Sequence, residues 1–510
     1  MTDTPLRLTG RSLSLADLAH LARNPALQAE IDPGALEAMV HTRAVIDGAV
    51  ARGDTMYGVN TGFGKLADVR IGPDDLVALQ ANLIRSHAAG VGTPLPRDVV
   101  RAMMCLRANV LIRPTSGVRP ALAQALVALL NSGAVPLVPE QGSVGASGDL
   151  APLSHLALAL MGEGTLTRPD GTVAPAHVVL TESGLTPFVF GPKEGLSFIN
   201  GTQAQTAVLA LLVHDAEVLW RSAIGAAAMS LEALRGTPTP LDPRIHEARP
   251  HEGQGIAARL MRDLLRDSPI RESHRQGDPR VQDAYSVRCT PQVLGAVWDA
   301  ITFARNVAAV ELNASTDNPL VFGAEVLSGG NFHGQPVAQA MDFVTIALTT
   351  LQAISERRVE RLVNPDLSQG LPAFLTTSAG LSSGFMMVQI TAASLVAESR
   401  TLAHPASIGS IPTDANQEDF VPMGMAAAFK ARRVLANAQL VVAAEFLCGA
   451  QGLEILKPLQ PGRGVRRLLE VVRGPDGVPP LGEDRPPGGD LMRLASLVAE
   501  GRLDPARTGG

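Results

Sequence analysis

Aromatic side chains are scarce in this 510-residue chain, where 13 Phe, two Tyr and two Trp make up only 3%. A large core with so few rings must be filled by Ala, Leu, Val and Ile, which suits closely packed helices better than a β-sandwich. Cysteine is scarcer still. Cys105, Cys289 and Cys448 lie far apart and form no C-x-x-C pair, which argues against a disulfide framework or a zinc ribbon. Clustered positive charge is also missing. Lys and Arg number 43 against 49 Asp and Glu, a formal net charge of −6, with no basic block to attract nucleic acid. The start of the chain has no long apolar run behind a basic stretch, so it does not read as a signal peptide. The most apolar stretches, such as 207–220, are interrupted by charges (there Asp215 and Glu217), and no segment reads as membrane-spanning. At 46% hydrophobic and 18% charged the chain is not a disordered one. A cytoplasmic globular protein is the expectation.

Long apolar-periodic segments separated by Gly/Pro-rich turns predict helices over 202–234, 292–312, 336–363, 384–403 and 424–456. Helices of ~30 residues span ~45 Å, so they imply a bundle whose spare apolar faces are covered by neighbouring subunits. The first 200 residues are choppier, with shorter helices expected over 35–51, 74–88, 97–113, 119–131 and 153–162. A hairpin is expected around Pro169-Asp170-Gly171. The expected organisation is one continuous unit with a mixed N-terminal part, 1–200, and a long-helix part, 201–510.

Polar, glycine-rich segments interrupt this pattern: 56–66, 142–155, 282–292, 327–337 and 410–424. Both tyrosines of the protein, Tyr57 and Tyr285, fall inside them. Aromatic residues on loops point to function more often than to packing. In GSVGASGDL (142–150) the glycines lie three apart, which fits neither the dinucleotide fingerprint nor a phosphate-binding loop, and Ser147 lacks the G-x-S-x-G of a nucleophile elbow. Ala146-Ser147-Gly148 is instead a tripeptide with little side chain. The Gly148 amide can approach the Ala146 carbonyl there, and loss of water from Ser147 would leave an electron-poor methylidene.

That segment resembles the signature of the ammonia-lyases and aminomutases that build 4-methylidene-imidazol-5-one from an internal Ala-Ser-Gly. The resemblance continues through YGVNTGFGKL, QANLIRSHAAGVG, KEGLSFINGTQ, ARPHEGQ, QDAYSVRC, TDNPLVF, SGGNFHG, SERR (355–358) and NQED (416–419), in the family's order. It implies a mainly α fold, a long-helix bundle of the histidase/aspartase-like type, with a few short strands in the N-terminal part. It also implies a homotetramer with active sites shared between chains, and catalysis without pyridoxal phosphate or metal.

Within the family, Ser86-His87, Asn200-Gly201-Thr202-Gln203 and Glu418 in NQED resemble the histidine lyases. Phenylalanine and tyrosine lyases offer Gln where Glu418 stands. A carboxylate there suits imidazole N–H groups, whereas a phenyl ring would leave it unpaired. Asp414, Phe420, Pro422 and Thr290 depart from the usual histidine-lyase pattern. The activity implied is deamination of histidine to trans-urocanate. A tyrosine or phenylalanine lyase or aminomutase, and an inactive helical scaffold, stay open beside it. By resemblance, Ala146, Ser147 and Gly148 form the prosthetic group and Asp149 assists. Tyr57 is the candidate base, while Asn200 and Tyr285 orient the group and the amine, with Gln282 in support. Arg288 clamps the substrate carboxylate, His87 and Glu418 hold the imidazole, and Phe332 walls the pocket. His246 and His251 have no zinc-helix spacing.

Overall fold

The computed structural model describes residues 4–507. The protein is mainly α, as expected. Long helices run over Gln203–Ala233, Thr290–Glu311, Gln335–Val363, Met386–Leu402 and Gly424–Ile455, each end within two residues of its predicted position. Local chemistry fixes such ends. The Pro33–Arg52 helix starts where the Asp32 carboxylate accepts the Ala35 N–H and Pro33 occupies the first turn. It stops at Gly53, whose φ of +74° is left-handed and cheap only for glycine.

The chain forms two compact units. The first is Met1–His214 with Ala304–Asp342 and Pro405–Phe429; the second is Asp215–Phe303 with Phe343–His404 and Lys430–Gly510. Segments distant in sequence thus join the first 200 residues, and a boundary along the chain at residue 200 does not describe this grouping.

At the centre of the first unit lies the Arg97–Leu111 helix, buried at every position from Val99 to Leu111. Two arginines sit inside it. Arg101 donates to the carbonyls of Leu21 (3.0 Å) and Leu130 (3.3 Å), in the last turns of the helices Leu15–Arg23 and Pro120–Asn131. The Leu130 carbonyl also accepts the Gly133 N–H at 3.3 Å, and the buried cation adds a charged donor at both helix ends. The strands are short. Leu6–Leu8 pairs parallel with Ala29–Ile31, and Val91–Pro94 pairs antiparallel with Pro139–Gln141. Thr165–Thr167 lies between Val135–Pro136 and Val173–Pro175, the latter pairing closing the predicted hairpin. A further hairpin, Leu320–Phe322 with Glu325–Leu327, lies outside the N-terminal part to which strands were assigned.

The second unit is helical. Its two tryptophans meet, with the Trp220 and Trp298 rings 4.5 Å apart and the Trp220 indole N–H donating to Leu294 (2.7 Å). Its buried carboxylate Glu232 accepts the Gly462 N–H at 2.9 Å, and burial pushes its pKa up to about 7. A carboxyl raised in the folded state is more protonated there than in the unfolded chain, so its favourable contribution is present at low pH. It is lost as pH rises from about 4.5 to about 7, at a cost on the order of 3 kcal/mol. Glu232→Gln should therefore gain thermal stability on the wild type between pH 5 and pH 8. An offset in melting temperature that is the same at both pH values would contradict this.

Three helices, Thr290–Glu311, Gln335–Val363 and Gly424–Ile455, are long and apolar enough to cross a bilayer by length and composition, which corrects the reading that no segment is. Much of that apolar character serves packing. The apolar window is 83% buried in Gly424–Ile455 and 61% in Gln335–Val363, but only 33% in Thr290–Glu311.

Candidate active site

The first unit contains a polar cleft built around residues 143–149. These residues connect the Pro139–Gln141 strand to the Leu150–Leu160 helix. Gly145 and Gly148 pair as an antiparallel bridge, so Ala146 and Ser147 form the tip of a tight turn. Gly148 also pairs with Gly201, at a φ of +75°. A Cβ at Gly148 would collide with the Gly201 backbone, so the position admits only glycine.

The turn is held from several sides. Asn200 Nδ2 donates to the Ser147 carbonyl at 2.7 Å. Arg107, fully buried, donates to the Asn200 carbonyl (3.0 Å) and to Gln203 Oε1 (2.6 Å); burial pulls its guanidinium down to about 10. Behind the turn, Asp149 is completely buried. It accepts the Ser143 hydroxyl (2.9 Å) and the Gln205 N–H (2.9 Å), yet burial outweighs these bonds and pushes its pKa up to about 6. Asn200 Oδ1 is buried with no hydrogen-bond partner among the described residues.

Opposite the turn stands the 413–420 loop. Ser147 Oγ donates to Glu418 Oε1 at 2.5 Å, and Thr413 Oγ1 donates to Glu418 Oε2 at 2.6 Å. Asp414, Ala415 and Asn416 all have positive φ, which is costly for residues with a Cβ. The loop keeps this backbone partly because Asp414 Oδ2 accepts the Lys65 N–H (3.1 Å). The same stretch of chain donates the Gly64 N–H to Tyr57 Oη at 3.2 Å.

Two adjoining hollows of about 570 Å³ each share Tyr57, Gly64, Ser147, Asn200, Asp414 and Glu418. One is completed by Ala146, Phe332, His333 and Phe420, the other by Ser86, His87 and apolar residues such as Leu83 and Leu196. His87 Nδ1 lies 2.8 Å from the Leu83 carbonyl in its own helix. That acceptor requires the proton on Nδ1 and leaves the Nε2 lone pair for a ligand.

The cleft therefore unites Tyr57, His87, Ala146, Ser147, Asn200, Phe332 and Glu418, with Gly148 and Asp149 directly behind Ser147. Gln282, Tyr285 and Arg288 belong to the second unit. Tyr285 and Arg288 begin and end a four-residue helical turn, with Tyr285 71% exposed. Arg288 donates to the Gln282 side chain, and both line a hollow of about 380 Å³. Sequence reasoning passed over three residues. Asp414 was noted only as a departure, yet it touches both hollows and shapes the 64–65 backbone. Arg107 gave no signal beyond a charge inside an apolar helix. His333 stacks on Phe420, with centroids 6.1 Å apart and planes inclined by 16°. Among the described residues no group of His, Cys, Asp or Glu has the arrangement of a metal site. His246 is buried between the Pro240 carbonyl (3.1 Å) and the Gln254 amide (3.0 Å).

The sequence profile of aromatic amino acid lyases matches residues 13–474. The chain belongs to the aromatic amino acid lyase family. It is 50% identical over 500 residues to a histidine ammonia-lyase of Gloeobacter violaceus, covering 98% of this chain and 96% of that one. Among solved structures, the Trypanosoma cruzi histidine ammonia-lyase superposes with a TM-score of 0.92 at 42% identity, covering 99% of this chain and 96% of that one. A tyrosine aminomutase from Streptomyces globisporus gives a TM-score of 0.93 at 38% identity, covering 99% and 98%. The lyase fold is thus matched along nearly the whole chain, the cleft included.

Proposed function

We propose that this lyase removes ammonia from L-histidine to give trans-urocanate, using a 4-methylidene-imidazol-5-one formed autocatalytically from Ala146-Ser147-Gly148. The observation that carries the reading is the meeting of Ser147 and Glu418 at 2.5 Å in a cleft that also holds Tyr57, His87 and Asn200. The residues fit the group. The turn is closed on itself at Gly145 and Gly148, the Gly201 backbone packs where a side chain at Gly148 would stand, and Asn200 Oδ1 is buried without a hydrogen-bond partner among the described residues. Closed and dehydrated, the tripeptide would supply an electrophile that no ordinary side chain offers.

The chain's own residues do the rest. The β-hydrogen of histidine is not acidic, so a base must be positioned for it. Tyr57 Oη takes that role, and the Gly64 N–H aimed at it stabilises negative charge on the oxygen. Loss of the Ser147 hydroxyl as water frees Glu418 Oε1 of its donor, opening an acceptor for an imidazole N–H. His87 Nε2 offers a second contact to the ring, and Phe332 walls it. Arg288 pairs with the substrate carboxylate, while Tyr285 and Gln282 steady the amine end. Neither pyridoxal phosphate nor a metal is needed. The pure protein incubated with histidine, tyrosine and phenylalanine should yield the ultraviolet spectrum of urocanate in excess of any cinnamate or coumarate. The opposite ranking would select an aromatic lyase or aminomutase.

The same reading includes a cytoplasmic homotetramer with shared sites. Its support is apolar surface left on long helices, including Phe303 and Val310, Phe343 and Ile346, and Met387 and Ile390. Tyr57→Phe and Tyr285→Phe each remove one hydroxyl and should each be nearly inactive. Mixed and reassembled, they should regain partial activity through sites carrying both wild-type tyrosines. No recovery despite demonstrated subunit exchange would defeat the shared site.

A further inference from the structure

The Ser355-Glu356-Arg357-Arg358 stretch belongs to the family resemblance but has no part in the reaction as read above. Arg358 is fully buried in the second unit. Its Nε and Nη2 donate to the two oxygens of Glu445 at 2.5 and 2.9 Å. Ser230 and Ser355 donate their hydroxyls to the same carboxylate at 2.7 and 2.6 Å. Four donors therefore saturate Glu445, and the buried charges compensate one another. This leaves Arg358 Nη1, which donates to the Ser286 carbonyl at 3.2 Å. Thr290 Oγ1 donates to the same carbonyl at 3.1 Å and lies 3.5 Å from Nη1.

Ser286 lies inside the turn that Tyr285 begins and Arg288 ends. The turn has no side-chain N-cap, and Val281, shortly before it, is fully exposed. Upstream, Asp283 fastens the chain to the Thr237 N–H at 2.7 Å. Beneath the turn itself, Arg358 is the charged anchor, and its planar guanidinium grips the Glu445 carboxylate in a two-pronged pair while a third N–H fixes the carbonyl, a geometry that the point charge of an ammonium does not reproduce.

We propose that Arg358 is a positioning residue for the lyase reaction: clamped by Glu445, it fixes the Ser286 carbonyl and so holds the Tyr285 hydroxyl and Arg288 guanidinium in the relation that amine and carboxylate require. The catalytic part of this rests on the histidine-lyase reading; the structural part does not.

Cys289 supplies a probe independent of substrate. Its N–H closes the turn onto the Tyr285 carbonyl at 2.9 Å, and its side chain is only half-buried. Cys105 and Cys448 are buried, and burial raises both thiols, that of Cys105 to about 12. The double variant Arg358→Met/Glu445→Gln removes both charges together, which avoids stranding one of them. Arg358→Lys keeps a cation beside Glu445 and serves if the double variant does not fold. In either, a thiol reagent located by peptide mass should label Cys289 about tenfold faster, with Cys105 and Cys448 remaining silent. The KM for histidine should rise about tenfold, while inhibition by 4-methylimidazole, which has the ring but neither amine nor carboxylate, stays unchanged. Unchanged labelling of Cys289 in a folded variant overturns the proposal, and so does equal weakening of histidine and 4-methylimidazole. If the wild type does not act on histidine, the histidine reading fails, and the labelling rate alone still judges Arg358.

Discussion

Ser147→Ala is expected to fold and assemble like the wild type and to lose activity by about a thousandfold or more, because without the hydroxyl no dehydration can create the electrophile. The structural cost is small. Before dehydration the side chain makes one hydrogen bond, to Glu418, whose other oxygen keeps Thr413, and the Asn200 bond goes to the Ser147 backbone carbonyl, which Ala retains. Stability should change by roughly 1 kcal/mol or less. Three measurements check the account together. Intact mass should be lower by two waters in the wild type only. Borohydride or cyanide should inactivate the wild type, with substrate protecting. Steady-state turnover should collapse in the variant. Wild-type activity in Ser147→Ala would sink the prosthetic-group reading, whatever the sequence signature.

Much of the fold was legible because it is set locally. A helix such as Gln335–Val363 shows its apolar repeat, its first-turn proline and its charged end within its own residues. The hairpin at 165–175 is announced by Asp170-Gly171, whose turn is completed when Asp170 accepts the Thr172 N–H at 2.8 Å. Assembly of the units was not legible. Nothing in 304–342 or 405–429 says that these residues join the first unit, since that follows from contacts hundreds of positions away. The cleft divides in the same manner. The Ala146-Ser147-Gly148 turn could be reasoned from its lack of side chains, because a close backbone approach is a local requirement. Asp414 could not. Its role depends on three successive left-handed residues and on the Lys65 N–H, and in the sequence it is only an acid in a polar loop. Arg107 was invisible for a related reason. An arginine within an apolar helix becomes intelligible only once the Asn200 carbonyl it holds is in place.

Glu418→Gln bears on the substrate itself and is expected to have the second largest effect. Before dehydration the carboxylate accepts two hydroxyls, from Ser147 and Thr413, and once the Ser147 hydroxyl has left as water it keeps that of Thr413. A glutamine can keep the Thr413 hydroxyl through its carbonyl oxygen, so the 413–420 loop should stay in place. Binding of the substrate ring is what changes. An imidazole N–H would lose a charge-assisted bond in a desolvated cleft, worth roughly 1.5–3 kcal/mol, which corresponds to about ten- to 150-fold in kcat/KM for histidine. A phenyl ring makes no such bond and should instead be relieved of facing an unpaired carboxylate, so turnover of phenylalanine, if measurable, should hold or rise. The neighbourhood sharpens this contrast. Phe420, stacked on His333 at the edge of the same hollow, presents an apolar face to it. Of the two groups assigned to the imidazole, His87 is unchanged in the variant, so a fall in histidine turnover reports on Glu418. The decisive quantity is the ratio of kcat/KM for histidine to that for phenylalanine. Its fall by tenfold or more in Glu418→Gln supports the carboxylate as the imidazole acceptor, whereas unchanged histidine turnover would move the assignment to the aromatic lyases.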